Sequence, residues 1–586
     1  MRSRRFLLKW LSCGGGAALL LAACGESGSN LSAVAPETGE TSLLGSDPST
    51  QAVTFPQAVA SGDPSATGAV VWTRVLPQGR SRSFPVELEV SPQADFSANV
   101  QRFTLTANER AGSNYRLAPG DYVVRQQLTG LLPNQQYFYR FLAMGNTSPV
   151  GRFRTLPEGS AGTIRFLHMS CANQPPYPIS AALGQEIQRF NPNFVVFNGD
   201  TVYADAFWQG GDPEPRLDFY RGLYRQQRDP NYTGAGFPDL YVALPFIANW
   251  DDHEVIDDYA GRGSRRAVQP DRRSVENLQR FGYQSFFEYT PMRIQFDDTP
   301  AGVDPQTRLF RTTKVGTDAE LFTLDLRQYR DEQGGVLGLV PLFPTIPAGV
   351  TRDEVVAIIE DFTGITVTPL LEKGFLGGPR YEEIYKRTPR TIMGSAQKNW
   401  FKQKLLASRA TFKIIVSELI MSENYALSQD RWEGYNLERL EIINFIESNN
   451  IRNVVVISGD QHAGQISLVN PRSDGRLPDN PIWEVGTGPV GQSTLAKSVD
   501  DIGAGLGIEN ASELYYLLLN YFSAAPEFGG KPGVTRSDLL FYEIDTPNYT
   551  AIEISGGRFI AEIRNGSGSV IRDPKGRLGR IEITAS

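Results

Sequence analysis

The apolar run Phe194-Val195-Val196-Phe197, followed by Asn198-Gly199-Asp200-Thr201-Val202-Tyr203, constrains the fold more than any other stretch of the chain. Four apolar residues without polar alternation read as a strand covered on both faces of a sheet. The run stops at Gly199-Asp200, which delivers a carboxylate where strand meets loop. In open α/β sheets that carboxyl end of the strands is where ligands bind. Tyr203, three residues on, can turn its phenol toward whatever Asp200 holds. Taken alone, the motif is equally a strand closed by an Asx turn.

The reading as a site rests on repetition. Residues 164–169 lead into Ser170-Cys171, and 245–248 into Asn249-Trp250-Asp251-Asp252-His253-Glu254. Residues 321–324 lead into Asp325, and 454–458 into Gly459-Asp460-Gln461-His462. Asp, Tyr and nearby thiol or imidazole groups suit a hard trivalent metal, and adjacent carboxylates beside Trp250 need a cation to offset desolvation and mutual repulsion. Of the 3 histidines, His253 and His462 stand in these loops, while His168, inside a strand, is expected in the core or behind a ligand.

Around this centre the 586 residues divide by pattern. Ser3-Arg4-Arg5-Phe6-Leu7-Leu8-Lys9 reads as a twin-arginine export signal, and Leu21-Ala22-Ala23-Cys24 as a lipoprotein box. Residues 1–23 are therefore expected to be removed, with lipid on Cys24 as the sole membrane attachment and the periplasm or cell surface as the location. The twin-arginine route carries folded proteins, which suits a cofactor inserted before export. Without Arg2, Arg4, Arg5 and Lys9 the 57 basic residues become 53 against 65 acidic ones, a formal charge of −12. No basic excess remains to displace counterions, so nucleic-acid binding is not expected. Cys171 becomes the only free thiol in an oxidising compartment, and is expected to be buried or metal-bound.

Residues 24–52, rich in Ser, Gly, Thr and Glu, read as a flexible tether. Short strand-like runs separated by turn residues over 53–158 predict a β-sandwich of the immunoglobulin or fibronectin-III kind. From 163 to 586 the pattern is mixed α/β. Helices are predicted over about 397–408 and on a face carrying Leu437, Leu440, Ile443, Phe445 and Ile446. The runs 539–544 and 549–554 are expected to form one antiparallel sheet closing the domain. Segments 331–390 and 497–537 match no element and read as insertions near the site mouth.

Taken in order, Ser61-Gly62-Asp63-Pro64, Val71-Trp72-Thr73-Arg74, Ser170-Cys171, Gly199-Asp200-x-x-Tyr203, Trp250-Asp251-Asp252-His253-Glu254, Asp325-x-Arg327-x-Tyr329-Arg330, Met393-Gly394-x-x-Gln397-x-x-Trp400 and Ser458-Gly459-Asp460-x-His462 resemble the calcineurin-like metallophosphoesterases, and within them the PhoD-type alkaline phosphatase/phosphodiesterases. The match runs from about residue 55 to 465. The resemblance implies an αββα catalytic sandwich and an exported, monomeric enzyme hydrolysing phosphomonoesters and phosphodiesters of small molecules. It implies Fe(3+) on Cys171, Asp200, Tyr203 and His462, with Asp200 bridging to Ca(2+) and with Asp252 and Asp460 completing the ligand shell of that second metal. It further implies that His253 meets the phosphoryl oxygen or leaving group. Thiolate and phenolate suit ferric iron, and carboxylates suit calcium. Arg327 or Arg330 is read either as a bidentate phosphate clamp or as a structural ion pair. The chain departs from the family pattern after Tyr203, where Ala204 precedes Asp205, and at Asp257-Asp258, where Asn is commoner; calcium number is what this leaves open. The alternatives are a diesterase acting on phosphopolymers or phospholipid head groups, and a surface lipoprotein whose sandwich binds a partner and whose metal is structural.

Overall fold

The computed structural model of the protein describes residues 52–112, 118–173, 177–205, 216–261, 263–264, 275–293, 308–331, 351–363, 387–424, 430–472, 477–506, 509–522 and 539–586. The export signal, Cys24 and nearly all of the tether lie outside these residues.

Two sheets carry the architecture. In the larger, nine strands run in the order Arg580–Thr584, Arg558–Arg564, Tyr549–Ser555, Thr163–Met169, Phe194–Asn198, Pro245–Asn249, Val59–Ser65, Gly68–Arg74 and Val123–Gln127. Its centre, from Thr163–Met169 to Val59–Ser65, is parallel. In the smaller, seven strands run Arg311–Val315, Ala319–Thr323, Phe412–Ser417, Val454–Ser458, Trp483–Gly486, Gly464–Leu468 and Leu539–Glu543.

The apolar runs alternate between two dry faces, which is why they show no polar alternation. Phe166, Val196 and Ile247 of the nine-stranded sheet meet Leu321, Ile414, Val416, Val455 and Ile457 of the seven-stranded one in a seam between the sheets. Leu167, Val195 and Phe197 face the other way, onto helices that include Ser180–Arg189, Leu217–Gln227, Phe237–Ala243 and Val275–Tyr289. Phe322, Ile415 and Val456 likewise pack on Gly394–Ala407 and Asn436–Ser448. The result is helix, sheet, sheet, helix.

Three expectations change. The 53–158 region does contain two β layers around a shared core of Val59, Val71, Val86, Leu88, Tyr139 and Phe141. One of those layers, however, is the edge of the nine-stranded sheet, because Val59–Ser65 pairs in parallel with Pro245–Asn249. The region is thus not a free-standing immunoglobulin or fibronectin-III domain. The strands Leu539–Glu543 and Tyr549–Ser555 enter different sheets rather than one. On the Asn436–Ser448 helix, Leu437 and Leu440 are 37% and 39% exposed, while Glu438 and Arg439 are buried. Those two charged side chains hold backbone: Glu438 accepts from the N–H groups of Ile392 and Met393, and Arg439 donates to the carbonyls of Met421 and Val469. In the segments left unassigned, Arg352–Thr363, Leu495–Leu506 and Ala511–Phe522 are helices, and they share a small apolar core with Ala463, next to His462.

Candidate metal centre

Register decides which carboxylates meet. Asn198 lies opposite Asn249 in the parallel pair of strands, so the loops two residues further on present Asp200 and Asp251 side by side. Both asparagines also cross the seam: Asn198 Nδ2 donates to the Ser417 carbonyl at 2.7 Å and Asn249 Nδ2 to that of Leu324 at 2.9 Å. The carboxyl ends of the two sheets are thereby clamped together, and the Val454–Ser458 strand delivers Asp460 and His462 to the same place. Gly199 makes the approach possible, since a Cβ there would stand 2.6 Å from Cβ of Asp251. Cys171, Asp200, Asp460 and His462 all have φ between 57° and 64°. Left-handed backbone at four non-glycine residues is strain that concentrates at functional sites.

The candidates gather into three groups that share Asp200: one with Cys171 and His462, one with Asp251, Asp252 and Asp460, and one with Asp252 and His253. In the first, the Tyr203 hydroxyl lies 2.8 Å from Asp200 Oδ2 and 2.9 Å from His462 Nε2, and Cys171 Sγ lies 3.5 Å from Asp200 Oδ2. In the second, Asp200, Asp251, Asp252 and Asp460 bring carboxylate oxygens within 4.8 Å of one another. Asp200 Oδ1, Asp251 Oδ2 and Asp252 Oδ1 are buried without a hydrogen-bond partner. Burial pushes the Asp200 and Asp251 carboxyls well above the usual range, against the pull of His253 and Arg327 respectively. It pushes Asp460 up to about 6, again opposed by Arg327. Burial also pushes up the Cys171 thiol and the Tyr203 phenol, and pulls His462 down to about 3. Left to themselves, the Asp200 and Asp251 carboxyls, the Cys171 thiol and the Tyr203 phenol would hold their protons, while His462 stays neutral. A polyvalent cation is what lets a buried thiol, phenol and carboxylates shed them together. The donor set therefore fits two cations, with thiolate, phenolate and imidazole on one side of Asp200 and carboxylates on the other.

Of the two readings of Arg327, the ion pair is what the structure shows. Its guanidinium is fully buried and bonded to Asp251, to Asp430 at 2.8 and 2.9 Å, and within ion-pair distance of Asp252 (3.4 Å) and Asp460 (3.5 Å). It is first of all a fixed counter-charge, although Nη2 has no hydrogen-bond partner. Asp325 does not join the metal groups. It accepts from Trp250 Nε1 and the N–H of Gln328, and so secures the Arg327 turn.

His253 stacks on Tyr203 at 4.0 Å between centroids, and its Nδ1 lies 2.7 Å from Asp205 Oδ1. Burial alone would lower the imidazole pKa, but Asp205, Asp252 and Asp200 outweigh it and hold the ring protonated well above its ordinary value.

Sequence reasoning missed several members. Glu254 accepts from the backbone N–H groups of Asp200 (3.3 Å), Thr201 (2.6 Å) and Asp251 (2.9 Å), bracing both ligand loops. Asp205 showed only as an acidic residue one place late. Asp430, about a hundred residues from Arg327, carried no local signal.

A family model described as PhoD-like phosphatase matches residues 166–525, and one for the N-terminal domain of PhoD-like phosphatases matches residues 40–157. Alkaline phosphatase D of Bacillus subtilis (strain 168) is 28% identical over 444 residues, an alignment covering 70% of this chain and 65% of that protein. The chain thus matches just under two thirds of that relative's length. The solved structure of PhoD superposes with a TM-score of 0.61 at 22% identity, covering 90% of this chain and 89% of that one.

Proposed function

The chain belongs to the PhoD-like phosphatase family, and from that premise we propose that it is a metal-dependent phosphoesterase acting on small phosphomonoesters and phosphodiesters. The observation that carries this reading is Asp200 standing at once in the group with Cys171 and His462 and in the group with Asp251, Asp252 and Asp460. A shared carboxylate is how a site holds two cations close enough to grip one phosphoryl group.

In this proposal Cys171, Asp200, Tyr203 and His462 hold Fe(3+), and Asp200, Asp252 and Asp460 hold Ca(2+), with Asp251 adding charge behind them. When bound, such a pair supplies Lewis-acid charge to the phosphoryl oxygens and acidifies the attacking water. The chain's own residues do the rest. Protonated His253, fixed by Asp205 and by the face of Tyr203, gives the departing alkoxide a proton. Asp205 keeps Nδ1 occupied, so the proton leaves from Nε2. Arg327 offers the unpartnered Nη2–H to a phosphoryl oxygen while its other nitrogens hold the carboxylate ring in place. Burial of the site excludes bulk water and strengthens each of these interactions.

The twin-arginine and lipobox motifs support export and anchoring through Cys24, and the acidic mature charge supports small esters rather than nucleic acid as the substrate class. The test is hydrolysis of a chromogenic monoester and diester by protein stripped of metal and reconstituted with iron and calcium, alongside an absorption spectrum. Phenolate and thiolate bound to ferric iron absorb broadly in the visible, so coloured protein with metal-dependent turnover is expected. Colourless zinc protein with turnover would remove the ferric assignment; no turnover with any metal would remove the enzyme.

A further inference from the structure

Away from the metal centre, Arg228 is a buried cation with no acid paired to it among the described residues. It follows the last turn of the Leu217–Gln227 helix and is 6% exposed. The other two arginines of this helix surface each have carboxylates: Arg221 binds Glu288, and Arg225 binds Asp121 and Asp218. Arg228 pairs with none among the described residues. Its guanidinium is held between the faces of Trp72 (4.1 Å) and Tyr241 (4.6 Å), and Nη2 donates to the Tyr289 carbonyl. Nε and Nη1 are buried and without a hydrogen-bond partner, as is the hydroxyl of nearby Tyr224.

We propose that Arg228 forms a buried site for a small monovalent anion, a halide such as chloride, between the 53–158 strands and the helices over the large sheet. Nε–H and Nη1–H are the donor positions left for an anion to meet. Water could satisfy those donors but would leave the charge unbalanced, and an unbalanced buried charge is strongly unfavourable. A single positive charge matches a single negative one; a phosphate dianion would bring a surplus charge into the same apolar surroundings. The carbonyl end of the helix and the aromatic faces offset part of the cost, as helix termini and cation–π contacts do, without supplying a counter-ion. Next in sequence, Gln227 donates to the Thr201 carbonyl at 2.8 Å, and its Oε1 accepts from the Tyr241 hydroxyl at 3.1 Å. An anion on Arg228 would therefore stiffen the wall behind the Asp200–Tyr203 loop.

The measurement is the melting temperature of the intact protein in potassium chloride against potassium gluconate at equal ionic strength, with a crystal soaked in bromide. Chloride should raise Tm by about 2 °C or more, and bromide the same way. The Arg228→Met variant should melt at one temperature in both salts, and a bromide peak should lie within hydrogen-bond distance of Arg228 Nε or Nη1 in the unaltered protein. Equal Tm in the two salts, a chloride effect that persists in Arg228→Met, or a bromide map empty at Arg228 would each overturn the site. If the variant does not fold, the bromide map decides alone. None of these readouts depends on phosphatase activity.

Discussion

At the scale of single residues, the proposed function separates groups that would hold cations from a group that would move a proton. His253 stacks on the face of Tyr203, and its hydrogen-bonded partner is Asp205 at 2.7 Å. His253→Ala should therefore lower kcat by roughly 10² or more and leave bound metal nearly unchanged. Asp200→Asn, which alters the carboxylate common to the Cys171–His462 and Asp252–Asp460 groups, should lose metal and activity together. Metal analysis beside kcat checks the pair, and equal metal loss in the two variants would refute this division of labour. Asp205 shows why local sequence was not enough. It stood where no motif residue was expected, and only the approach of two loops made it the partner of His253.

At the scale of elements, the loops that carry ligands are braced by carboxylates that touch no cation. Glu254 collects three backbone N–H groups from two strand ends; at the Asp325–Leu326 turn the Gln397 amide oxygen and the Glu418 carboxylate accept one N–H each. Buried N–H groups left without acceptors cost about 1–3 kcal/mol each. Glu254→Ala should accordingly reduce metal occupancy and lower the unfolding midpoint although it removes no ligand, with Glu254→Gln falling between. Unchanged metal content in the alanine variant would show that the loops hold themselves. In the seam between the sheets, burial lowers His168 to about 3, and neither ring nitrogen has a partner. The folded protein keeps this ring neutral while the unfolded chain protonates it near 6.5. Stability is thus present above pH 6.5 and is lost as pH falls toward 3, by up to about 1.4 kcal/mol per pH unit. Urea midpoints at pH 7, 6 and 5 should fall less steeply in His168→Leu. A parallel decline in both proteins would place the acid sensitivity elsewhere.

At the scale of the whole molecule, the 53–158 region and the rest are one folding unit. Val59–Ser65 completes the parallel sheet beside Pro245–Asn249, and Asp63 binds Arg311 at 2.9 Å across the chain. Trp72 donates to the Glu288 carbonyl, and Arg74 and Arg225 share Asp121. Expressing residues 159–586 alone would bare a central strand edge at Phe246 and the aromatic surface around Tyr289, on which Trp72 packs. Such a product should be insoluble or should fail to unfold cooperatively; a soluble, cooperatively melting fragment would show that the N-terminal strands are dispensable.

The sequence by itself determined the buried parallel strands, because residues such as Val195-Val196 and Val454-Val455-Val456 can be so uniformly apolar only between two covered faces. It also placed the Cys, Asp, Tyr and His side chains at the strand ends, since those motifs lie within a few residues of each strand and need no distant information. The buried face of the Asn436–Ser448 helix was misjudged because periodicity cannot see that Glu438 and Arg439 are held inside by distant backbone groups. Tertiary structure alone decided that Arg327 is caged by carboxylates, that Asp325 braces a turn, and that the N-terminal strands extend the main sheet. These outcomes depend on pairings between residues tens to hundreds of positions apart, such as Asp63 with Arg311 and Arg327 with Asp430. Charge and hydrogen-bond partners at that separation leave no period in the chain; they are set when the sheets close on each other.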